Sequence, residues 1–177
     1  MVHRIYLIGM PGSGKTSTGK KLAKQLGWQF IDLDAAIEKQ TDKSITELFA
    51  SLGEPAFRKI EQDVLFHSLP GEPSIIACGG GTPAFEENMQ FINEHGLSIY
   101  LHANEAFLLD RLATKNQARP LLHALSQEDL KINIATLLTV RCNYYEQAHM
   151  QIKLPYLNIK TLTNSILEHI EANNNKL

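Results

Sequence analysis

Residues 9–18 read GMPGSGKTST, and Gly9-Met10-Pro11-Gly12-Ser13-Gly14-Lys15-Thr16 meets every fixed position of the pattern GxxxxGK[ST]. Glycines in such a loop let backbone N–H groups turn inward around phosphate oxygens, and the N-terminus of a following helix adds partial positive charge. The pattern carries that chemistry only between a strand and a helix. Both flanks comply. RIYLIG (4–9) is a nearly continuous apolar run, as expected of a strand buried on both faces. Residues 15–26 follow with Leu22, Ala23 and Leu26 on one helical face, Lys20, Lys21 and Lys24 elsewhere, and Gly27 as a stop. In this setting Gly12, Ser13, Gly14 and Ser17 line a phosphate cradle. Lys15 is expected to reach the β and γ phosphates, and the Thr16 hydroxyl to bind Mg²⁺.

Working outward, WQFID (28–32) reads as a second strand. Ser44 and Glu47 have capping-box spacing ahead of a helix over 45–52, Gly53 closes it, and Pro55 suits the first turn of the next helix. SIIAC (74–78) and LSIYL (97–101) are further strands, the second followed by a helix through Phe107, Leu108 and Arg111. The stretch 115–127 breaks the periodicity. Ser126 with Asp129 then marks the start of a long helix through Leu138, Arg141 and Tyr145. A weak strand near 150–154 and a helix near 163–171 complete the chain, with a polar tail, EANNNKL, expected to fray. Strands alternating with helices imply an α/β fold, a parallel sheet with helices on both faces. Ligands of such sheets collect at the carboxyl ends of the strands, so Gly9, Asp32 and Gly79 should converge on one cleft.

At 177 residues the chain has the size of one domain with a sizeable core, spanning 1–177. A net charge of −2 removes any reason to expect nucleic acid or an anionic membrane as partner. Cys78 and Cys142 form no metal-binding spacing, and Cys78 reads as a small buried residue. The short apolar run at the start is too brief for a signal sequence, and the expectation is a cytoplasmic protein.

Magnesium sites in this class usually include a carboxylate, and FIDLD supplies Asp32 and Asp34. In an extended segment residues two apart point the same way, so Asp32 is the candidate for Mg²⁺ and Asp34 is left to face an acceptor. The GTPase patterns DxxG and [NT]KxD are absent. What remains is a compact kinase for a small molecule, with 115–127 as a lid that excludes water and Arg119 to stabilise the transferring phosphoryl group. Arg58 and Arg141, on separate helices, suit a carboxylate on the acceptor, because guanidinium forks match carboxylates. The run Gly79, Gly80, Gly81 allows a ligand close to the backbone. Together these describe a hydroxylated small carboxylic acid. A kinase for an open-chain acid such as gluconate, and a catalytically silent ATP-binding module, are the alternatives.

GMPGSGKTS, FIDLDAAIE, SITELFASLGEPAFRKIE, CGGGTP, ARPLL and LLTVRCNYYEQA follow one another as they do in the shikimate kinase family, which the chain resembles from end to end. The resemblance implies a three-layer fold around a five-stranded parallel sheet, with a helical substrate-binding region over about 34–62 and a lid over about 115–127. It implies ATP on Gly12, Ser13, Gly14, Lys15, Thr16 and Ser17, with Mg²⁺ on Thr16. It further implies shikimate hydroxyls on Asp34, its carboxylate on Arg58 and Arg141, a backbone donor at Gly80, and Arg119 on the ATP phosphates. The expected product is shikimate 3-phosphate, formed by a monomer with ATP and shikimate as its only partners. Two stretches depart from the family's pattern: DRLATKNQARP has the single Arg111 followed by Leu112, and the IKLPYLNIKTLTN segment differs from the usual adenine loop.

Overall fold

The computed structural model describes residues 3–67, 71, 73–115 and 127–174. Five strands form one sheet: β1 (Arg4–Ile8), β2 (Gln29–Asp32), β3 (Ser74–Ala77), β4 (Leu97–His102) and β5 (Met150–Lys153). Their order is β2-β3-β1-β4-β5, and every pairing is parallel. All five expected strands are present. Ile5, Tyr6, Leu7 and Ile8 of the central strand are fully buried, as are Ile75 and Ile76 beside them. A strand buried at consecutive positions has both faces covered, which is why these segments are apolar runs rather than alternations.

The helices among the described residues are α1 (Lys15–Leu26), α2 (Leu33–Thr41), α3 (Ile45–His67), α4 (Asn88–His95), α5 (Glu105–Lys115), α6 (Gln127–Tyr145) and α7 (Ile159–Asn174). Helix α1 begins after Gly14, whose φ of 92° and ψ of 21° are open to glycine and costly for other residues. Gly27 closes α1 with its N–H on the Ala23 carbonyl. The capping box forms: the Ser44 N–H donates to Glu47 Oε2 at 2.8 Å, and the Glu47 N–H donates to Ser44 Oγ at 3.2 Å. Helix α3 breaks at Gly53, where φ is 77° and ψ 169°, and resumes through Pro55. The two helices expected on either side of Gly53 are therefore the two arms of one kinked element. None of these helices is long and apolar enough to cross a membrane.

Three details depart from the sequence expectation. Helix α2 starts at Leu33, so Asp34 lies in its first turn rather than in an extended segment, and Asp32 and Asp34 are not aligned by strand alternation. A 3-10 turn (Thr82–Ala84) and α4 fill a stretch to which periodicity assigned nothing. Helix α4 has only eight residues, too few for an apolar stripe to repeat. Helix α7 starts at Ile159, four residues earlier than expected. The lid segment, apart from its end residues Lys115 and Gln127, lies outside the described residues, as does Arg119.

Candidate active site

The loop after β1, the start of α2 after β2 and the glycine run after β3 all stand at the carboxyl edge of the sheet, as the topology requires. On the phosphate-loop side, the Lys15 ammonium donates to the carbonyls of Gly9 at 2.8 Å and Met10 at 2.9 Å, and the side chain is nearly buried. The Ser17 hydroxyl donates to the Gly14 carbonyl at 2.9 Å. Ser13 is buried, and its hydroxyl has no partner among the described residues. A buried polar group without a partner is costly and is the expected mark of a ligand-facing position. Thr16 Oγ1 donates to Asp32 Oδ2 at 2.9 Å. Asp32 stands at the N-terminal boundary of α2 but makes no capping bond with its side chain. Its carboxylate is turned to the phosphate loop instead, which brings together the two residues singled out for Mg²⁺.

The acceptor side is organised along the three glycines. A Cβ built on Gly79 would lie 3.3 Å from Asp34 Oδ1, and one on Gly80 would lie 3.3 Å from Arg141 Nη1. A Cβ on Gly81 would overlap the Arg58 guanidinium. The carboxylate and both guanidiniums thus stand in sequence beside one short backbone run, and a side chain at Gly81 would displace the Arg58 guanidinium. Gly81 has an ordinary φ of −95°, so its glycine is demanded by Arg58 and not by the backbone. Arg58 and Arg141, from α3 and α6, line one cavity of about 510 Å³ together with Glu54, Gly81, Phe85 and Leu137. The two arginines singled out in the sequence share a pocket.

Arg58 is held from several directions. Its Nη1 donates to Glu61 Oε2 at 2.7 Å and its Nη2 to Glu54 Oε1 at 3.0 Å. Its guanidinium stands over the Phe57 and Phe49 rings, at 5.2 and 5.8 Å from their centroids. Burial disfavours its charge, but the Glu61 carboxylate and the hydrogen bonds to Glu61 and Glu54 outweigh that and raise its pKa. Arg141 pairs with no acid among the salt bridges of the described residues; Glu146, in the turn just after α6, instead accepts from Cys142 Sγ at 3.2 Å.

Glu61 is the residue that sequence reasoning missed. It is fully buried, holds Arg58 with one oxygen, and with the other accepts from Thr82 Oγ1 at 2.6 Å. Beside it Gln62 Nε2 donates to Asn88 Oδ1 at 3.1 Å, and Asn88 Nδ2 donates to the Thr82 carbonyl at 2.9 Å. Helix α3 therefore fixes both the arginine and the turn that ends the glycine run. The available signal was the spacing of Arg58 and Glu61, three apart on one helical face. That spacing reads equally well as a solvated surface pair, and only burial separates the two. Cys78 is buried, the small apolar strand-end residue the sequence suggested, and desolvation pushes its thiol far up.

Comparison with known proteins agrees with this geometry. A protein-family model described as "Shikimate kinase" matches residues 11–171. A curated relative from Azobacteroides pseudotrichonymphae, named "Shikimate kinase", is 39% identical over 170 residues, covering 96% of this chain and 98% of the relative. Another of the same name, from Parabacteroides distasonis, is 41% identical over 82% of this chain and 84% of the relative. Among solved structures, shikimate kinase from Bacteroides thetaiotaomicron superposes with a TM-score of 0.85 at 34% identity, covering 95% of this chain and 98% of that one. The enzyme from Acinetobacter baumannii, solved in complex with shikimate, gives 0.81 at 33% identity, over 98% and 95% of the two chains.

Proposed function

Because the chain belongs to the shikimate kinase family, we propose that it transfers the γ-phosphoryl group of ATP to the 3-hydroxyl of shikimate, giving shikimate 3-phosphate and ADP. The observation that carries the reading is the alignment of Asp34, Arg141 and Arg58 beside Gly79, Gly80 and Gly81. A cyclic acid with hydroxyls at one end and a carboxylate at the other matches an arrangement with a carboxylate first and two guanidiniums beyond it. Arg58 and Arg141 hold the substrate carboxylate, and Gly79, Gly80 and Gly81 line its path between them.

Asp34 orients the 3-hydroxyl and accepts its proton as the bond from that oxygen to the γ-phosphorus forms. The bond from phosphorus to the bridging oxygen of ADP breaks in the same displacement. Gly12, Ser13, Gly14, Lys15, Thr16 and Ser17 hold the ATP phosphates, and the unpartnered Ser13 hydroxyl supports that assignment. Lys15 exchanges loop carbonyls for phosphate oxygens, and Arg119 from the lid adds a second positive charge against the equatorial oxygens. Thr16 and Asp32 are the residues that would hold Mg²⁺, whose bound charge neutralises the phosphates during transfer. Their fit is supported by the hydroxyl and carboxylate already meeting at 2.9 Å.

A coupled ADP-release assay across shikimate, quinate, gluconate and nucleoside monophosphates tests the reading. Shikimate is expected to be the preferred acceptor, with phosphorus-proton correlation NMR placing the phosphate on the 3-oxygen. Preference for gluconate or a nucleotide, or ADP release independent of any acceptor, would defeat it.

A further inference from the structure

Tyr145 has no role in the site described so far, yet it reaches the middle of it. It is fully buried on α6, its ring packs against Tyr100 at 5.1 Å between centroids, and its hydroxyl lies 3.8 Å from Met10 Sδ in the phosphate loop. That hydroxyl donates a short hydrogen bond to the carbonyl of Gly80. Arg141 lies one helical turn earlier on the same face of α6, and its positive charge acts on the Tyr145 phenol. Desolvation raises the phenol to about 12, against the opposing effect of Arg141, so it keeps the proton it donates.

The carbonyls of all three glycines are occupied. The Thr82 N–H donates to Gly79 at 3.3 Å, Tyr145 to Gly80, and the Ala84 N–H to Gly81 at 3.1 Å. The N–H groups of the same glycines donate to no backbone carbonyl in the turns and loops of the described residues. In a trans peptide the carbonyl and the following N–H point to opposite sides. Anchoring the Gly80 carbonyl on the Tyr145 side therefore turns the Gly81 N–H away from α6. Of the three anchors it is the only one supplied by a side chain.

We propose that Tyr145 is a positioning residue for the phosphoryl acceptor: by holding the Gly80 carbonyl it sets the Gly80–Gly81 peptide plane, so that the Gly81 N–H serves as a donor to the bound substrate. Arg141 and Tyr145 lie one turn apart on α6, so the guanidinium and this backbone donor are set by one helix face. The inference rests on the shikimate reading above and deepens it. It predicts that loss of one hydroxyl from a fully buried residue outside the phosphate loop selectively harms acceptor binding.

Tyr145→Phe keeps the ring and removes the donor. Its KM for shikimate is expected to rise about five- to thirtyfold, with kcat within about threefold and KM for ATP unchanged. A residue that merely supports the fold would shift both KM values with the unfolding midpoint, so urea unfolding is measured alongside. The second readout is NMR of protein labelled with ¹⁵N-glycine. Shikimate is expected to shift the Gly81 amide downfield and slow its exchange in the parent, and to do neither in Tyr145→Phe. A parental shikimate KM in the variant overturns the inference, as does a Gly81 amide in the parent that is indifferent to shikimate. A parent that does not phosphorylate shikimate overturns the underlying reading instead, so the two failures are distinguishable.

Discussion

The two halves of the site hold their positive charges in different ways. On the nucleotide side Lys15 is held by carbonyls five and six residues away in its own loop. On the acceptor side Arg58 is held by the carboxylates of Glu54 and Glu61, and Glu61 is itself tied to Thr82, 21 residues away. The first arrangement rests on backbone carbonyls; the second is a set of side chains on α3, tied through Glu61 to the turn that ends the glycine run. Weak, exchangeable carbonyl contacts leave a charge ready to follow a phosphoryl group. A guanidinium bound by a buried carboxylate is set in one place before any substrate arrives. The difference matches the chemistry: transfer needs a charge that follows the reacting group, while recognition needs one that does not move.

The largest expected effect tests the fixed half. Glu61→Ala removes the buried partner of Arg58 and leaves Thr82 Oγ1 unpaired, at a cost of about 3–5 kcal/mol of stability. Urea unfolding checks the loss, and steady-state kinetics should show a raised KM for shikimate. A variant of parental stability would mean that Arg58 is not locked by this carboxylate. Lys15→Met tests the other half. Turnover is expected to fall by about 10²–10³-fold, with shikimate affinity by calorimetry and the unfolding midpoint near parental. Should that variant unfold, Lys15 is a structural lock too and the contrast disappears.

Gly81→Ala sharpens the comparison, because its Cβ enters the space of the Arg58 guanidinium. Displacing a side chain held this firmly is expected to cost about 1–3 kcal/mol, seen as weaker shikimate binding with ATP binding intact. Equal weakening of both ligands would locate the effect in the shared backbone rather than in Arg58.

The smallest effect lies away from the site. His149 Nδ1 accepts from the Ser98 N–H at 3.2 Å, which requires an unprotonated nitrogen, and desolvation together with nearby His169 lowers its pKa from an ordinary 6.5. The unfolded state then binds the proton more readily than the folded one. This contribution is complete above 6.5 and is lost as pH falls toward the depressed folded value. Melting midpoints across that range should decline slightly on acidification in the parent, and less so in His149→Asn. Identical slopes would remove His149 from the account.

What the amino-acid order determined by itself is whatever depends on near neighbours. The phosphate loop, the Ser44–Glu47 capping box, the Gly27 stop and the three apolar strands β1, β3 and β4 rest on backbone conformation, helical spacing or burial of a short run, each readable within a few residues. Arg58, Arg141 and the glycine run were legible as charges and bare backbone in unusual places. Their meeting on one acceptor carboxylate was expected from the sequence, and packing supplies the cavity that joins them. Tertiary structure alone decided that Glu61 is a buried tie rather than a surface charge, and that Tyr145 reaches Gly80 across 65 residues of chain. The reason is physical: a hydrogen bond between distant residues leaves no periodicity in either segment, and the same acid or phenol reads alike in water and in the core until packing excludes the solvent.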